Sequence, residues 1–351
     1  MKTEHILVIR FSAIGDVAMT VPVISSLAKQ YPEVRITILS RPFARVLFEQ
    51  MPPNVSFMAA DIKKEYHGVS GLNALYRRLA AKHFTAVADL HDVLRSKYLR
   101  LRFNLSRNRV AHIDKHRRGK RQLTAEHDKK LLQQPTSFQN YADVFAHLGY
   151  PVELDFRSVF PAGRGDLTLL STVVGPKKPF RQWIGIAPFA AHKGKIYPLP
   201  KMEKVIELLI KRHPSCRIFL FGGGETERKQ LADIVARKPQ CVNVPDTLAG
   251  LAQELILMSH LDVMISMDSA NMHLASLTGI QVVSVWGATH PFAGFMGWNQ
   301  SANNAVQTDL PCRPCSIYGN KPCRRGDYAC LYDIAPVQIA DCVERILQSK
   351  Q

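Results

Sequence analysis

Residues 5–39 read HILVIRFSAIGDVAMTVPVISSLAKQYPEVRITIL, and this stretch decides the fold class. Two apolar runs of strand length, His5–Phe11 and Arg35–Leu39, flank Ala18–Gln30, where apolar residues recur at helical spacing. A strand, a helix and a strand in this order predict a parallel βαβ unit. The turn Phe11–Asp16, between the first strand and the helix, therefore lies at the sheet edge where such folds bind ligands.

The same alternation fills the rest of the chain, with one interruption. Helical Asn73–Lys82 precedes a strand at Ala86–Asp89, and residues 160–182 then break into proline, glycine and charge, which indicates a linker. The alternation restarts with strands and helices at Trp183–Ala187, Pro200–Arg212, Arg217–Phe221, Glu225–Arg237, Val263–Ser266, Ala270–Thr278 and Val282–Trp286. We expect an α/β protein of two Rossmann-like, doubly wound domains, 1–165 and 180–351, facing a central cleft. A last helix, at about 335–349, is expected to pack back on the first domain.

The composition excludes several classes of protein. With 351 residues, 46% of them hydrophobic and 21% charged, the chain can bury two cores and is not disordered. It has 46 Lys and Arg residues against 29 Asp and Glu, a formal net charge of +17, which implies an anionic partner. No stretch approaches the ~18 apolar residues of a membrane span, and no signal peptide precedes the first strand. We therefore expect a cytoplasmic protein.

Positive charge is concentrated in Arg95–Lys130, which has 13 Lys and Arg residues and three acids. Its first part has cations and apolar residues at helical spacing: Arg95, Leu99, Arg102 and Phe103. This pattern indicates a cationic amphipathic helix suited to a lipid headgroup surface. Nucleic acid would also attract such a segment, but no recognised nucleic-acid module accompanies it. All of this stretch falls within the first of the two predicted domains.

The turn Phe11–Asp16 offers a carboxylate at a ligand-binding edge. It has one glycine where the dinucleotide fingerprint needs three, and it is not a Walker A loop, so a nicotinamide cofactor is disfavoured there. The alternative is structural, because Asp16 could simply cap the following helix.

A second candidate site follows the predicted strand Val263–Ser266. Small residues between a strand and a helix present backbone N–H groups to phosphate oxygens, and His273 would lie on the first turn of that helix. In the alternative, Asp268 and Ser269 only cap the helix and His273 packs in the surface between the two domains.

Two further loops carry residues that suit a nucleotide. Glycines in Phe221–Glu225 would let a ligand approach the backbone, and Glu225 just beyond them suits ribose hydroxyls. The basic loop His192–Pro198 follows the strand Trp183–Ala187, and a lysine there could neutralise phosphate. Most surface lysines have no such role.

Four of the seven cysteines cluster late in the chain, at Cys312, Cys315, Cys323 and Cys330. Four thiols with one CxxC can hold zinc tetrahedrally, but the second pair lacks the CxxC spacing. Free thiols or a redox-dependent bridge explain the pattern equally well, and we predict no metal site.

Six segments, in order along nearly the whole chain, resemble the glycosyltransferase family 9 heptosyltransferases, which transfer heptose from ADP-heptose to the inner core of lipopolysaccharide. These segments are IRFSAIGDVAMTVPV (9–23), DLHDVLRSKYL (89–99), KIYP (195–198), FGGGETER (221–228), MDSANMHLASLTG (267–279) and VSVWGATHP (283–291). Tyr197 stands where Trp is commoner, Ala270 replaces a frequent Gly, and the loop before Lys195 has two alanines where Ser or Thr is usual.

The resemblance implies a GT-B fold, with the acceptor bound by the first domain and the nucleotide sugar by the second. It also implies an inverting transfer without a metal ion or other cofactor, in which Asp16 is the general base. On the donor side it assigns the diphosphate to Lys195 and to the backbone amides of Ser269, Ala270 and Asn271, the ribose to Glu225, and the shape of the pocket to Asp268 and His273. On the acceptor side it points to Arg95, Ser96 and Lys97.

Our leading hypothesis is an ADP-heptose-dependent transferase that acts on a lipopolysaccharide core or lipid A precursor. Its further partner would be the anionic surface of the inner membrane, on whose cytoplasmic face it would be peripheral, and it would not bind nucleic acid. The alternatives are a related GT-B transferase or an epimerase using another nucleotide sugar, and a non-catalytic protein that binds nucleic acid or zinc.

Overall fold

The computed structural model describes residues 4–350, so the extreme ends of the predicted ranges, 1–3 and 351, lie outside it. Contacts divide the chain into two compact units. The first contains the residues up to Lys115 and Pro135–Val159, and the second contains His116–Gln134 and the residues from Phe160 onward. The range predicted for the first domain, 1–165, therefore includes a segment, 116–134, that packs with the second unit.

The first unit is built on a parallel sheet whose strands lie in the order β3-β2-β1-β4-β5. Its strands are β1 (His5–Ile9), β2 (Arg35–Ser40), β3 (Val55–Ala59), β4 (Ala86–Asp89) and β5 (Arg109–His112). The chain proceeds outward from β1 to β3 and then returns to the other side of β1, so the order reverses between β1 and β4. At such a switch point the loops diverge to opposite faces of the sheet and leave a crevice at the strands' carboxyl ends.

The helices up to residue 159 are α1 (Ile14–Ala18), α2 (Thr20–Gln30), α3 (Gly68–Ala80), α4 (Leu94–Leu105), α5 (Arg117–Leu123) and α6 (Ser137–His147). All of them except α5 belong to the first unit. The helix predicted at Ala18–Gln30 begins four residues earlier, at Ile14. It is also divided at Met19 into two helices, α1 and α2. Asp16 therefore lies in the first turn of α1 rather than in the loop before it.

The second unit repeats the plan with six parallel strands in the order β11-β10-β9-β6-β7-β8. These strands are β6 (Trp183–Ala187), β7 (Arg217–Leu220), β8 (Cys241–Asn243), β9 (Val263–Met267), β10 (Val282–Trp286) and β11 (Ala305–Gln307). Here the switch point lies between β6 and β9. The doubly wound pattern predicted for both halves is confirmed.

The helices of the second unit after residue 160 are α7 (Leu199–Arg212), α8 (Glu225–Arg237), α9 (Val244–Thr247), α10 (Leu251–Ser259), α11 (Ala270–Leu277), α12 (Ala329–Tyr332) and α13 (Pro336–Gln348). The last of them, α13, packs against α7 and buries Ile339 and Val343 in the core of the second unit. It is therefore part of the second unit, as the predicted range 180–351 has it. Its packing on the first domain stays a prediction.

The predicted linker, 160–182, is packed on the second unit. The Gly165 N–H donates to Ser259 Oγ at 3.0 Å, and the Gly165 carbonyl lies 2.7 Å from His260 Nε2. Leu170 and Val174 are buried, so the segment adds apolar contacts as well as hydrogen bonds. Proline and glycine mark an irregular path here rather than a free connection.

Each unit has its own apolar core. In the first, Leu7 of β1 lies in one cluster with Leu75 of α3 and Leu99 of α4. In the second, Ile186 of β6 lies in a cluster with Val205 of α7. Among the described residues, no helix is both long and apolar enough to cross a membrane.

Candidate active site

Asp16 lies at the switch point of the first unit, held by two contacts on one oxygen. Its Oδ2 is 2.7 Å from Nη2 of Arg10 and accepts the Ala13 N–H at 3.0 Å. Its side chain is 34% exposed, compared with 10% for Arg10. The alternative that Asp16 caps the following helix is therefore correct, because its carboxylate accepts an N–H group at the start of α1. The same carboxylate is also oriented by a buried cation and open to solvent, as a proton acceptor must be.

Arg10 is fixed by the residues around it. Its Nη1 donates to the Leu90 carbonyl at 2.6 Å, and its guanidinium lies 5.9 Å from the ring centroid of Tyr141. Burial alone would lower the pKa of Arg10, but Tyr141, Asp16 and Asp89 outweigh it and raise that pKa. The cation beside Asp16 is thus permanent.

His91 and Asp89 come to this site from the end of β4. Burial, reinforced by the charge of Arg10, lowers the pKa of His91 to about 3, so its imidazole is neutral at physiological pH. Asp89 is fully buried and accepts the N–H groups of His91 and Asp92 at 3.0 and 2.9 Å. We had not identified either as a site residue. They could have been predicted, because β1 and β4 are parallel neighbours and the residues after both strands lie at the same edge of the sheet.

The three residues predicted to bind the acceptor differ in their surroundings. Ser96 is buried, and its Oγ accepts the Val93 N–H and donates to the Val93 carbonyl at the start of α4, so it stabilises a helix end. Arg95 is exposed, and Lys97 is exposed with its Nζ 3.5 Å from Asp92 Oδ1. Of the three, only these two cations face solvent.

In the second unit, Lys195 and Asp268 meet at the switch point. Lys195 ends a short 3-10 turn after β6, Asp268 directly follows β9, and their Nζ and Oδ2 atoms are 3.1 Å apart. Both side chains are largely buried, at 16% and 4% exposure. The sequence predicted that both lie in one pocket, and the structure pairs them with each other.

A loop from far along the chain holds Lys195 in place. Gly319 has a φ of 73°, and a methyl group on it would lie 2.4 Å from Cγ of Lys195. The neighbouring Gly194 carbonyl accepts the Ala288 N–H at 2.8 Å, and Ala288 in turn accepts N–H groups from Cys315 and Ser316. The backbone of Gly319 therefore packs closely against the aliphatic part of Lys195 and restricts the direction of that side chain.

Helix α11 begins beside this ion pair. Ser269 precedes its first residue in an extended conformation, and Ala270 and Asn271 form the first turn, all three half-buried. The first N–H groups of a helix have no carbonyl partner within it, so this end is suited to an anion. His273, one turn into the helix, is buried at 6% exposure.

The glycine-rich turn after β7 is held by Glu227. Oε2 of Glu227 accepts the Gly223 N–H at 2.7 Å. Glu225 is the first residue of α8 and is exposed. The carboxylate expected to bind ribose is therefore open to solvent beside the turn.

The family model of glycosyltransferase family 9 (heptosyltransferase) matches residues 72–324. The chain belongs to this family.

Individual relatives of this family 9 protein are distant. Lipooligosaccharide heptosyltransferase 2 of Campylobacter jejuni subsp. jejuni is 26% identical over 138 residues, which are 38% of this chain and 41% of the relative. The match thus spans about two fifths of that relative's length. Lipopolysaccharide heptosyltransferase 3 of Escherichia coli is 25% identical over 318 residues, 84% of this chain and 85% of the relative.

A solved structure supports the fold assignment. The Escherichia coli ADP-heptose lps heptosyltransferase II superimposes with a TM-score of 0.70 at 18% identity, covering 99% of both chains. The fold of this family 9 protein is GT-B, as the sequence resemblance implied.

The late cysteines of this family 9 protein surround one small cavity. All four line a space of about 10 Å³, next to the buried Arg313. Burial raises the pKa of Cys330 to about 11, and burial together with the neighbouring thiols also raises that of Cys315. Both are therefore protonated, with low reactivity, at neutral pH. Within residues 4–350 no three His, Cys, Asp or Glu side chains form a group that could hold a metal ion.

Proposed function

We propose that this protein transfers heptose from ADP-heptose to the inner core of lipopolysaccharide, by an inverting reaction that needs no metal ion. Membership of family 9 supports a heptosyl transfer, and the Escherichia coli structure described above is of an enzyme named for ADP-heptose. The observation that carries the proposal is that each sheet brings an acidic and a basic side chain together at its switch point. Asp16 is held by Arg10 in one, and Lys195 lies beside Asp268 in the other.

On the donor side, the second unit offers a cation and a helix N-terminus together. Lys195 and the N–H groups of Ser269, Ala270 and Asn271 would bind the diphosphate, which carries more negative charge than the Asp268 carboxylate that Lys195 now contacts. As the bond to the sugar breaks, charge grows on the departing ADP, and these groups would stabilise it. In other transferases a divalent metal ion provides this stabilisation of negative charge. His273 and Asp268 would shape the pocket. Glu225 would bind the ribose hydroxyls from the start of α8.

On the acceptor side, Asp16 would act as general base. It would take the proton of the acceptor hydroxyl while that oxygen attacks the anomeric carbon on the face opposite the diphosphate. The electrons of the broken bond leave with ADP, so the configuration at this carbon is inverted. Arg10 would keep the carboxylate oriented, and the exposed cations Arg95 and Lys97 would contact acidic groups of the acceptor. The reaction would take place in the cytoplasm, at the inner face of the membrane that carries the acceptor.

Replacing the proposed base tests the mechanism. Asp16→Asn keeps the shape of the side chain but cannot accept a proton, so we expect the rate of transfer to a defined core acceptor to fall by about 10²- to 10⁴-fold. ADP should raise the melting temperature of both the wild type and the variant, and UDP should not.

Asp61→Asn is the matched control, because Asp61 also accepts backbone N–H groups, from Lys63 and Lys64, but lies away from the switch point. It should retain full transfer activity. If Asp16→Asn transferred heptose at a wild-type rate, the assignment of the base would be wrong. Stabilisation by UDP rather than ADP would instead overturn the proposed donor.

A further inference from the structure

Helix α4 is apolar on two opposite sides. Leu99 and Phe103 are buried in the core of the first unit. Three other leucines of the same helix face solvent: Leu94 is 85% exposed, Leu101 56% and Leu105 72%. At about 100° per residue, spacings of seven and four residues bring these three within about 40° of one another around the helix axis. They form a stripe roughly 16 Å long on the side away from the core.

The alignment of these leucines indicates a contact surface. Single exposed leucines are common on soluble proteins, but three largely exposed leucines aligned on one side of a helix are typical of an interaction site. The buried face of α4 already anchors the helix to the core, so the exposed leucines are not required for its folding. The stripe, defined as Leu94, Leu101 and Leu105, is therefore available to a second surface.

The charges beside the stripe indicate what that surface is. Helix α4 has four cations and no acid in its sequence, LRSKYLRLRFNL. Arg100 is directed to Asp89 and Asp92, and Arg102 lies over the Tyr76 ring at 4.4 Å. The other two, Arg95 and Lys97, are exposed at the border of the stripe.

An apolar ridge bordered by cations matches the interface of an anionic bilayer, where acyl chains lie directly beneath phosphate groups. A second copy of this chain fits less well, because it would bring the same cations, on a molecule of net charge +17, against one another.

We propose that α4 docks this protein on an anionic bilayer, with the leucine stripe at the acyl boundary. Arg95 and Lys97 would then lie in the headgroup layer, which is also where the acidic groups of a membrane-embedded acceptor would meet them. Docking would bring the enzyme to the membrane in which its acceptor is embedded, and this benefit to catalysis rests on the proposed function. Binding to lipid itself requires only the surface described here.

Vesicle binding tests the proposal directly. We expect the wild type to co-sediment with vesicles of phosphatidylcholine and phosphatidylglycerol at 3:1, and at least tenfold less with phosphatidylcholine alone. The triple variant Leu94→Gln, Leu101→Gln, Leu105→Gln should lose at least tenfold in binding to the anionic vesicles, because glutamine keeps helix propensity but not apolar surface. The matched control changes three leucines that are similarly exposed on the second unit: Leu131→Gln, Leu132→Gln and Leu169→Gln. It should bind like the wild type.

Other outcomes would overturn the inference. Equal binding by the stripe variant and the control variant would show that these leucines do not contact lipid. A wild type that is a dimer in sedimentation equilibrium, and a stripe variant that is a monomer, would assign the stripe to self-association. Transfer to a deacylated, water-soluble acceptor should be unchanged in the stripe variant. If the wild type fails that assay but still binds vesicles, the proposed function is wrong and the docking surface is not.

Discussion

Lys195 depends on Gly319 for its position. The glycine has a positive φ and lies against the lysine's aliphatic chain, so a Cβ there would displace the side chain or the loop. Gly319→Ala should therefore weaken ADP binding at least tenfold by isothermal titration calorimetry, since the cation of the proposed diphosphate site would move.

Gly326→Ala is the control for this prediction. Gly326 has a similar φ of 80°, but no heavy atom lies within 4 Å of the position that an added Cβ would take. Both variants should lose about 1 kcal/mol of stability from backbone strain. Only Gly319→Ala should lose affinity, and an equal loss in both would mean that strain rather than the lysine contact is responsible.

His91 makes the stability of the first unit depend on pH. Its pKa is about 3 in the folded protein and about 6.5 in an unfolded chain, so between these values only the unfolded state binds the proton. The free energy of unfolding therefore falls as the pH drops below about 6.5, by about 2 kcal/mol from this residue at pH 5. In urea denaturation, His91→Gln should reduce the difference in stability between pH 7 and pH 5.

An exposed histidine provides the comparison. His67→Gln, at the start of α3, should leave the difference between the two pH values as in the wild type. A His91→Gln protein with the full wild-type pH dependence would show that another group is responsible.

At the scale of elements, hydrophobic patterning predicted the central strands and missed several at the sheet edges. Ala86–Asp89, Trp183–Ala187 and Val282–Trp286 have the predicted bounds because a buried parallel strand is a short, continuous apolar run. The edge strands β3 and β5 are partly exposed and mix polar with apolar side chains, so they lack the continuous apolar run of the central strands. Backbone pairing with a neighbour, which hydropathy does not record, makes them strands.

Helix α1 shows how the predicted and observed structures differ at the site. The predicted helix begins at Ala18 and leaves Asp16 in the turn before it, although Ile14, Val17 and Val21 already recur at helical spacing. The structure begins α1 at Ile14, where the Asp16 carboxylate accepts the Ala13 N–H. The structural role and the proposed catalytic role of Asp16 are thus compatible, because one oxygen makes the cap while the side chain remains partly exposed.

At the scale of the whole molecule, the basic stretch Arg95–Lys130 is divided between the two units. Seven of its 13 cations lie before residue 116, in the first unit, and six lie in the second. Our expectation that this charge belongs to one acceptor-binding half is therefore wrong for the later part. Segment 116–134 is tied to the second unit, where Gln134 N–H donates to the Phe292 carbonyl at 2.8 Å and Lys129 Nζ donates to the carbonyls of Pro311 and Pro314.

Hydrogen exchange under increasing, sub-denaturing urea tests this assignment. Amides in α5, within 116–134, should open with the same free energy and urea dependence as those of β9, because both belong to the second unit. Amides of α6, at Ser137–His147, should instead follow β1. If α5 exchanged together with β1, the segment would belong to the first unit in solution.

The sequence by itself determined the fold class, the central strands and the residues that follow them. Apolar periodicity and the loops after strands depend only on residues that are neighbours in the chain. It could not identify Arg10 as the partner of Asp16, Gly319 as the neighbour of Lys195, or the unit to which 116–134 belongs. Nor could it distinguish the leucines of α4 that reach the core from those that stay exposed. These features depend on which distant segments meet, and that is decided by packing and long-range pairing when the whole chain folds.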